Sequence, residues 1–515
     1  MNLASYYAYW AQMRGDQPAA VFKDRRLTWA ELDRQADAVA ACLQQLGAAP
    51  GDRVGCLLDN GLEWVVSWAA VHKAGCILVP LNPRYGDVEL REIAALVDCQ
   101  ALISTAAQAA RLDARFGVPE QAAQPVSLFA LRGPQAPLTF EQATAAAGRP
   151  APTERGGDDV ALITFTSGST GRPKGAVLTH RALDTMAFGM TLAFRYTSQD
   201  RMLLLAPFAF TGGLVCVYVP AYIIGACIHI EDTLDAPRAL ETIARERITV
   251  MMGVPILWER MAASPGFAAA DLSSLRTATT GGAPVSQTLL KQYVDKGVGI
   301  VQTYGCTEAA GFITIPSAAT GLAKPWACGG PVPSLQLRIV DDAQQPCAAG
   351  TVGEIQLRGG QMFSGYWNDA ASTRDAWLGD PQTGWYRTGD VGCLDEDGHV
   401  QITDRKKNMV ISGGVNVYPA EVERTLGTLA GVDEVLAFGM PDAQWGERLV
   451  AVVHGPAALD LPQLMTQART ALGAYKTPKE ILRSSEPLPR TSTGKLLRSQ
   501  LSALYARLTT ERNGA

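Results

Sequence analysis

At 515 residues the chain exceeds what one hydrophobic core can organise, so at least two domains are expected. Its 47% hydrophobic and 18% charged residues are the composition of a folded soluble protein, and a net charge of −5 argues against general attraction to nucleic acid or an anionic membrane. The ten cysteines include no Cys-x-x-Cys pair and the five histidines are dispersed, which sets aside zinc and redox-dithiol sites and implies a reducing, cytoplasmic compartment.

The N-terminus lacks the basic start and apolar core of a signal peptide. Leu32, Ala36, Val39 and Leu43 recur at helical spacing behind Thr28, a candidate cap. Residues 54–58 read as a strand, 61–74 as a helix with Trp64 and Trp68 on one face, and 76–81 as a second strand, a pattern that implies a parallel, doubly wound sheet. Residues 106–157, rich in Ala, Pro and Gln, read as a surface connection bearing short elements.

Val160-Ala161-Leu162-Ile163 reads as a buried strand and Ala176-Val177-Leu178 as another. Between them lies Thr164-Phe165-Thr166-Ser167-Gly168-Ser169-Thr170-Gly171-Arg172-Pro173-Lys174-Gly175. A loop so dense in glycine and hydroxyls can aim several N–H and O–H donors at one anion, and Lys174 adds a positive charge, so a polyphosphate is its natural guest. The spacing is not that of a Walker loop, and the residues alone also fit an ordinary Ser/Gly turn.

Thr179 caps a helix starting at His180, and strands follow at 202–205, 226–230, 250–252 and 275–280, a second α/β layer. Residues 214–230 are apolar but broken by Pro220 and Gly225, and read as a core helix running into a strand rather than a membrane span. Beyond Gly329, residues 335–340 and 353–358 alternate as half-exposed antiparallel strands do, and Asp395-Glu396-Asp397-Gly398 reads as a hairpin turn. A boundary near Asp404 is expected, with a small α+β domain after it.

Six segments in order, the loop above, Gly281-Gly282-Ala283-Pro284, Tyr304-Gly305-Cys306-Thr307-Glu308, Gly384 to Asp390, Asp404-Arg405-Lys406-Lys407 with Ser412-Gly413-Gly414, and Pro489 to Lys495, resemble the adenylate-forming acyl-CoA synthetases over nearly the whole chain. The resemblance implies an α/β fold: a large N-terminal domain of doubly wound α/β subdomains plus a β-barrel-like subdomain (1–403), a hinge (404–408) and a small mobile α+β domain (409–515). It implies ATP, Mg²⁺ and CoA as cofactors, with an acyl-adenylate formed first and the acyl group then passed to CoA.

On that resemblance Thr166, Ser167, Gly168, Ser169, Thr170, Gly171 and Lys174 cradle the β- and γ-phosphates, Thr307 reaches the α-phosphate and Glu308 is the Mg²⁺ ligand. Gly282, Ala283, Pro284, Tyr304 and Gly305 border adenine, Asp390 accepts from the ribose hydroxyls, and Arg405 meets ribose and phosphate. Lys495 bridges the acid and the α-phosphate, Lys407 is the hinge, and Ser412, Gly413 and Gly414 open a path for the CoA thiol. Each also has a plainer reading: a helix start for Thr307-Glu308, a turn for Asp390, solvated basic turns for Arg405 to Lys407 and for Lys495.

The acyl pocket is expected around Phe210, Thr211, Gly212, Gly213, Val254, Thr280, Gly281 and Cys306. Phe210-Thr211-Gly212-Gly213 departs from the family's usual His or other aromatic, leaving space beside an apolar wall, so a medium- to long-chain fatty or an aromatic acid is expected. Ala209 stands where amino-acid-activating members carry Asp, and an amino acid would bury an unpaired charge there. Ile411 stands where luciferases carry a lysine. A separate carrier protein as acceptor, a non-catalytic nucleotide-binding homologue and a homodimer are left open.

Overall fold

A computed structural model describes residues 2–113, 125–131, 136–167, 173–232, 235–282, 285–412, 415–442, 445–490 and 498–514. The chain divides by packing into two units, residues 1–337 with 357–386, and residues 338–356 with 387–515.

The first unit carries two large sheets. One runs in the order Leu138–Thr139, Val126–Ala130, Ala101–Thr105, Arg53–Leu57, Ile77–Leu81, Val160–Ser167, Pro173–Thr179. Its middle strands are parallel, joined by helices such as Leu62–Lys73 and Asp87–Val97, and both edges are antiparallel. The sequence dictates this locally: Arg53–Leu57 and Ile77–Leu81 are apolar on both faces, as strands covered by helices must be. Trp64 and Trp68, borne by the helix Leu62–Lys73, are fully buried.

The other sheet runs Gly330–Pro331, Gly311–Ile315, Ile300–Cys306, Thr277–Gly281, Val250–Gly253, Arg201–Leu204, Cys227–Ile230, Pro18–Phe22, Arg25–Thr28, parallel in its centre. Thr28 caps the helix Trp29–Gln45 in a full capping box with Glu31, and Thr179 caps His180–Phe194, both as the sequence predicts. The apolar run 214–230 is the π-helical turn Leu214–Tyr218, the helix Val219–Ile223 and the strand Cys227–Ile230. Among the described residues no helix is long and apolar enough to cross a membrane.

The alternating strands expected beyond Gly329 are present as Leu335–Val340, Gly353–Gly359, Trp385–Leu394 and Val400–Arg405, and the division between the units falls within the first three. In the second unit the hairpin turn at 395–398 is closed by Asp395, whose Oδ1 accepts from the Asp397 and His399 amides. The rest of that unit is an α+β layer: strands Val415–Val417, Val410–Ser412, Gly446–His454 and Glu434–Asp442, with Glu480–Ser484 parallel to Gly446–His454 and helices Pro419–Leu426 and Leu461–Lys476. Val422, Leu426, Leu449, Ala451, Leu464 and Ala468 fill its core.

Candidate functional site

The loop expected to hold a polyphosphate joins two antiparallel strands, Val160–Ser167 and Pro173–Thr179, so its ends are fixed by a ladder in which Thr166 faces Lys174. Gly168, Ser169, Thr170 and Gly171 lie outside the described residues, as does the side chain of Ser167. Lys174 Nζ sits 5.2 Å from the centre of the Tyr366 ring.

Thr307 and Glu308 occupy the short turn Thr307–Ala309 between the strands Ile300–Cys306 and Gly311–Ile315. The turn is possible because Gly305 and Gly311 lack side chains. A Cβ on Gly305 would lie 2.1 Å from the Gly311 carbonyl oxygen, and Gly311 has φ +100° with its Cβ position 2.4 Å from Cys216 Sγ. Tyr304 is buried at the bulge that precedes this turn. Gly282, at φ +80°, ends the strand Thr277–Gly281 in the left-handed region, while Ala283 and Pro284 lie outside the described residues.

The segment Gln361–Trp367, to which the sequence reading assigned nothing, stitches these two places together. Gln361 Nε2 donates to the carbonyls of Ala309 and Phe312, each at 2.7 Å, and the Phe363 amide donates to Glu308 O at 2.8 Å. Farther along, Ser364 N donates to Val177 O, Val177 N to Gly365 O and Trp367 N to Gly175 O, so the segment runs beside the Lys174 strand. Tyr366 Oη donates to Glu308 Oε1 at 2.9 Å. Burial, and after it the Glu308 charge, holds both Tyr366 and Tyr386 protonated, well above the ordinary tyrosine range. Local sequence carries no signal that singles out Tyr366.

On the acyl side, Phe210 precedes the single turn Thr211–Gly213, and Thr211 Oγ1 lies 2.9 Å from Thr307 Oγ1. A Cβ on Gly212 would meet Met252 Cε at 3.7 Å, which brings Met252, another residue not anticipated, beside the glycine pair. Phe208 stacks on Trp64 and meets Tyr218 edge-on, while Ala209 is buried. Val254 packs against the core beneath the helices Ala236–Glu246 and Pro255–Ala262. Thr280 is fully buried on the strand face shared with Ala278 of that core, its hydroxyl without a partner among the described residues. Gly281 follows on the opposite face, and Cys306 is half-buried at the strand end.

In the second unit, Asp390 and Arg405 are direct cross-strand neighbours, and Arg405 Nε lies 2.6 Å from Asp390 Oδ1. The carboxylate is buried and the guanidinium half exposed, so the pair presents charge at a surface without burying an isolated ion. Lys407 lies in the turn Lys406–Asn408, and the packing boundary lies ahead of the 404–408 segment. Asp404 anchors that segment: Oδ1 accepts from Arg405 N and Asn408 Nδ2, and Oδ2 from Ala420 N at 2.7 Å. Ser412 is buried at the end of Val410–Ser412 with its hydroxyl unpartnered among the described residues, and Gly413, Gly414 and Lys495 lie outside them.

The donor set fits the groups the resemblance implies. Glu308 engages Tyr366 through one carboxylate oxygen, and a hard cation that keeps several waters suits a single carboxylate of this kind. Lys174, Thr166 and Thr307 supply a cation and hydroxyls suited to phosphate oxygens.

Comparison with known proteins matches residues 7–367 to the AMP-binding enzyme family and residues 421–495 to the AMP-binding enzyme C-terminal domain. The chain is 35% identical to a feruloyl-CoA synthase of Amycolatopsis sp over 97% of this chain and 98% of that one. It is 34% identical to the long-chain-fatty-acid–CoA ligase FadD13 of Mycobacterium tuberculosis over 94% of each. The ATP-bound structure of MatB from Rhodopseudomonas palustris superposes with a TM-score of 0.86 at 28% identity, over 98% of this chain and 99% of that one. The chain therefore belongs to the AMP-binding enzyme family, as an adenylate-forming acyl-CoA synthetase, an AMP-forming acid–CoA ligase that uses ATP, Mg²⁺ and CoA.

Proposed function

We propose that the acid this ligase activates is apolar, a medium- to long-chain fatty acid or an aromatic carboxylate. The observation that carries this reading is the acyl side of the first unit: Phe208, Phe210, Thr211, Gly212, Gly213, Met252 and Cys306 include no charged side chain. A second carboxylate or an ammonium on the substrate would there lose water without gaining a counter-ion. The feruloyl-CoA and long-chain-fatty-acid–CoA relatives are named for one acid of each apolar kind.

In this reading the domains are 1–403 and 409–515 about the 404–408 hinge, with Lys407 as pivot. Lys174 and the hydroxyls of the 164–175 loop hold the β- and γ-phosphates, and Thr307 donates to the α-phosphate. Glu308 holds Mg²⁺, which when bound neutralises phosphate charge as pyrophosphate departs. Asp390 and Arg405 take the ribose, with Gly282, Tyr304 and Gly305 beside adenine. Lys495 neutralises the approaching carboxylate and then withdraws, so that Ser412 and the glycines after it can admit the CoA thiol. Among the described residues no disulfide joins any of the ten cysteines, which suits a reducing cytoplasm.

The test is CoA-dependent AMP release across fatty, aryl, dicarboxylic and amino acids. Fatty or aryl acids should exceed dicarboxylic and amino acids by about 100-fold or more in kcat/KM. A dicarboxylic or amino acid as the best substrate would overturn the apolar assignment.

A further inference from the structure

We propose that Tyr366 is a positioning residue for the adenylation step, its hydroxyl orienting the Glu308 carboxylate and its ring seating Lys174. The inference rests on the assignment of Glu308 and Lys174 to Mg²⁺ and the phosphates. Three sets of contacts in the first unit carry it. The phenol donates to Glu308 Oε1 at 2.9 Å, and Lys174 Nζ stands 5.2 Å from the ring centre. The backbone that bears Tyr366 is fixed at both ends: Phe363 N donates to Glu308 O at 2.8 Å, and Trp367 N donates to Gly175 O at 2.7 Å. A third contact fixes the ring itself, since Phe363 packs against it edge-on at 5.0 Å.

A tyrosine serving only as filler would need the ring and not a hydroxyl aimed at a carboxylate. Glu308 and Lys174 come from different sheets, on a turn and a strand with no ladder between them. One side chain touching both sets their separation. With Oε1 engaged by the phenol, the carboxylate loses freedom to rotate and keeps Oε2 for a cation, so less order would have to be imposed when Mg²⁺·ATP binds.

The experiment uses the full chain and measures ATP binding by calorimetry as Mg²⁺ is titrated, with neither acid nor CoA present. Tyr366→Phe keeps the ring and removes the hydroxyl. The Mg²⁺ concentration for half-maximal ATP binding should rise about tenfold, while Mg²⁺-free ATP affinity stays within about twofold of wild type. Pyrophosphate exchange should fall about tenfold or more, and thioester formation from supplied acyl-adenylate should change by less than about twofold. Tyr366→Leu, which also removes the ring, should weaken Mg²⁺-free ATP binding in addition.

Wild-type Mg²⁺ dependence in Tyr366→Phe would overturn the proposal. So would equal loss of both half-reactions with a lowered melting temperature, the mark of a structural role alone. Failure of the wild-type protein to bind ATP at any Mg²⁺ concentration is a different result, and would remove the phosphate-site assignment itself.

Discussion

Thr211 and Thr307 meet hydroxyl to hydroxyl at 2.9 Å, joining the turn expected beside the acid to the turn expected beside the α-phosphate. Thr211→Val keeps the shape and leaves Thr307 without that partner. Adenylation kcat/KM, followed by pyrophosphate release, should fall about fivefold to tenfold, with Thr211→Ser near wild type. An unchanged rate in Thr211→Val would show that Thr307 finds its orientation elsewhere. That two residues of separate motifs lie together was legible for Asp390 and Arg405, both expected at one ribose, which are cross-strand neighbours in an ion pair. Tyr366, Gln361 and Met252 were not legible, because each matters through a partner far along the chain: Glu308, Ala309 and Gly212. Local periodicity reports which face a residue takes and is silent about such partners.

Elements with strong local signals came through: the strands at 53–57 and 77–81, the capped helices after Thr28 and Thr179, and the hairpin at 395–398. The π-helical turn Leu214–Tyr218 did not, since its sequence is apolar at every position and its geometry is imposed by Tyr7, Trp68 and Phe208 around Tyr218. In the second unit, ion pairs flank residues 491–497 on both sides. Arg490 and the Leu488 amide bind Glu434, and Arg498 holds Glu423 with two contacts of 2.7 Å while Ala437 N donates to the same carboxylate. Breaking a largely buried, bidentate pair leaves a charge without its partner. Glu423→Ala should therefore lower stability by about 2 to 3 kcal/mol, read as a lower urea midpoint of the C-terminal transition. A midpoint within error of wild type would mean that Arg498 finds full compensation in water.

At the scale of the molecule the family was readable because six short motifs fall in one order along 515 residues. What stayed hidden was buried titratable chemistry, such as the contacting rings of His72 and His180, 5.3 Å apart. Burial lowers His72 to about 4, against the pull of its bond to Ala161 O, and lowers His180 to about 2 through burial and then the charges of His72 and Arg155. Both are bases with depressed folded-state values, so the stability they contribute is present above the unfolded pKa of about 6.5 and is lost as pH falls below it. For His72 alone the loss should reach roughly 2 kcal/mol at pH 5. Denaturant midpoints between pH 7.5 and 5 should fall accordingly, and His72→Gln should flatten the slope; a flat wild-type profile would contradict the burial argument.

The two half-reactions are separable if Lys495 serves only the first. Lys495→Ala should lose adenylation by about 100-fold or more yet still convert supplied acyl-adenylate to thioester, and equal loss of both would contradict that division. The most direct test of the whole account is pyrophosphate–ATP exchange by the wild-type protein without CoA. It predicts exchange that requires Mg²⁺ and an apolar acid and proceeds without the thiol; exchange that is absent until CoA is added would contradict an acyl-adenylate formed first.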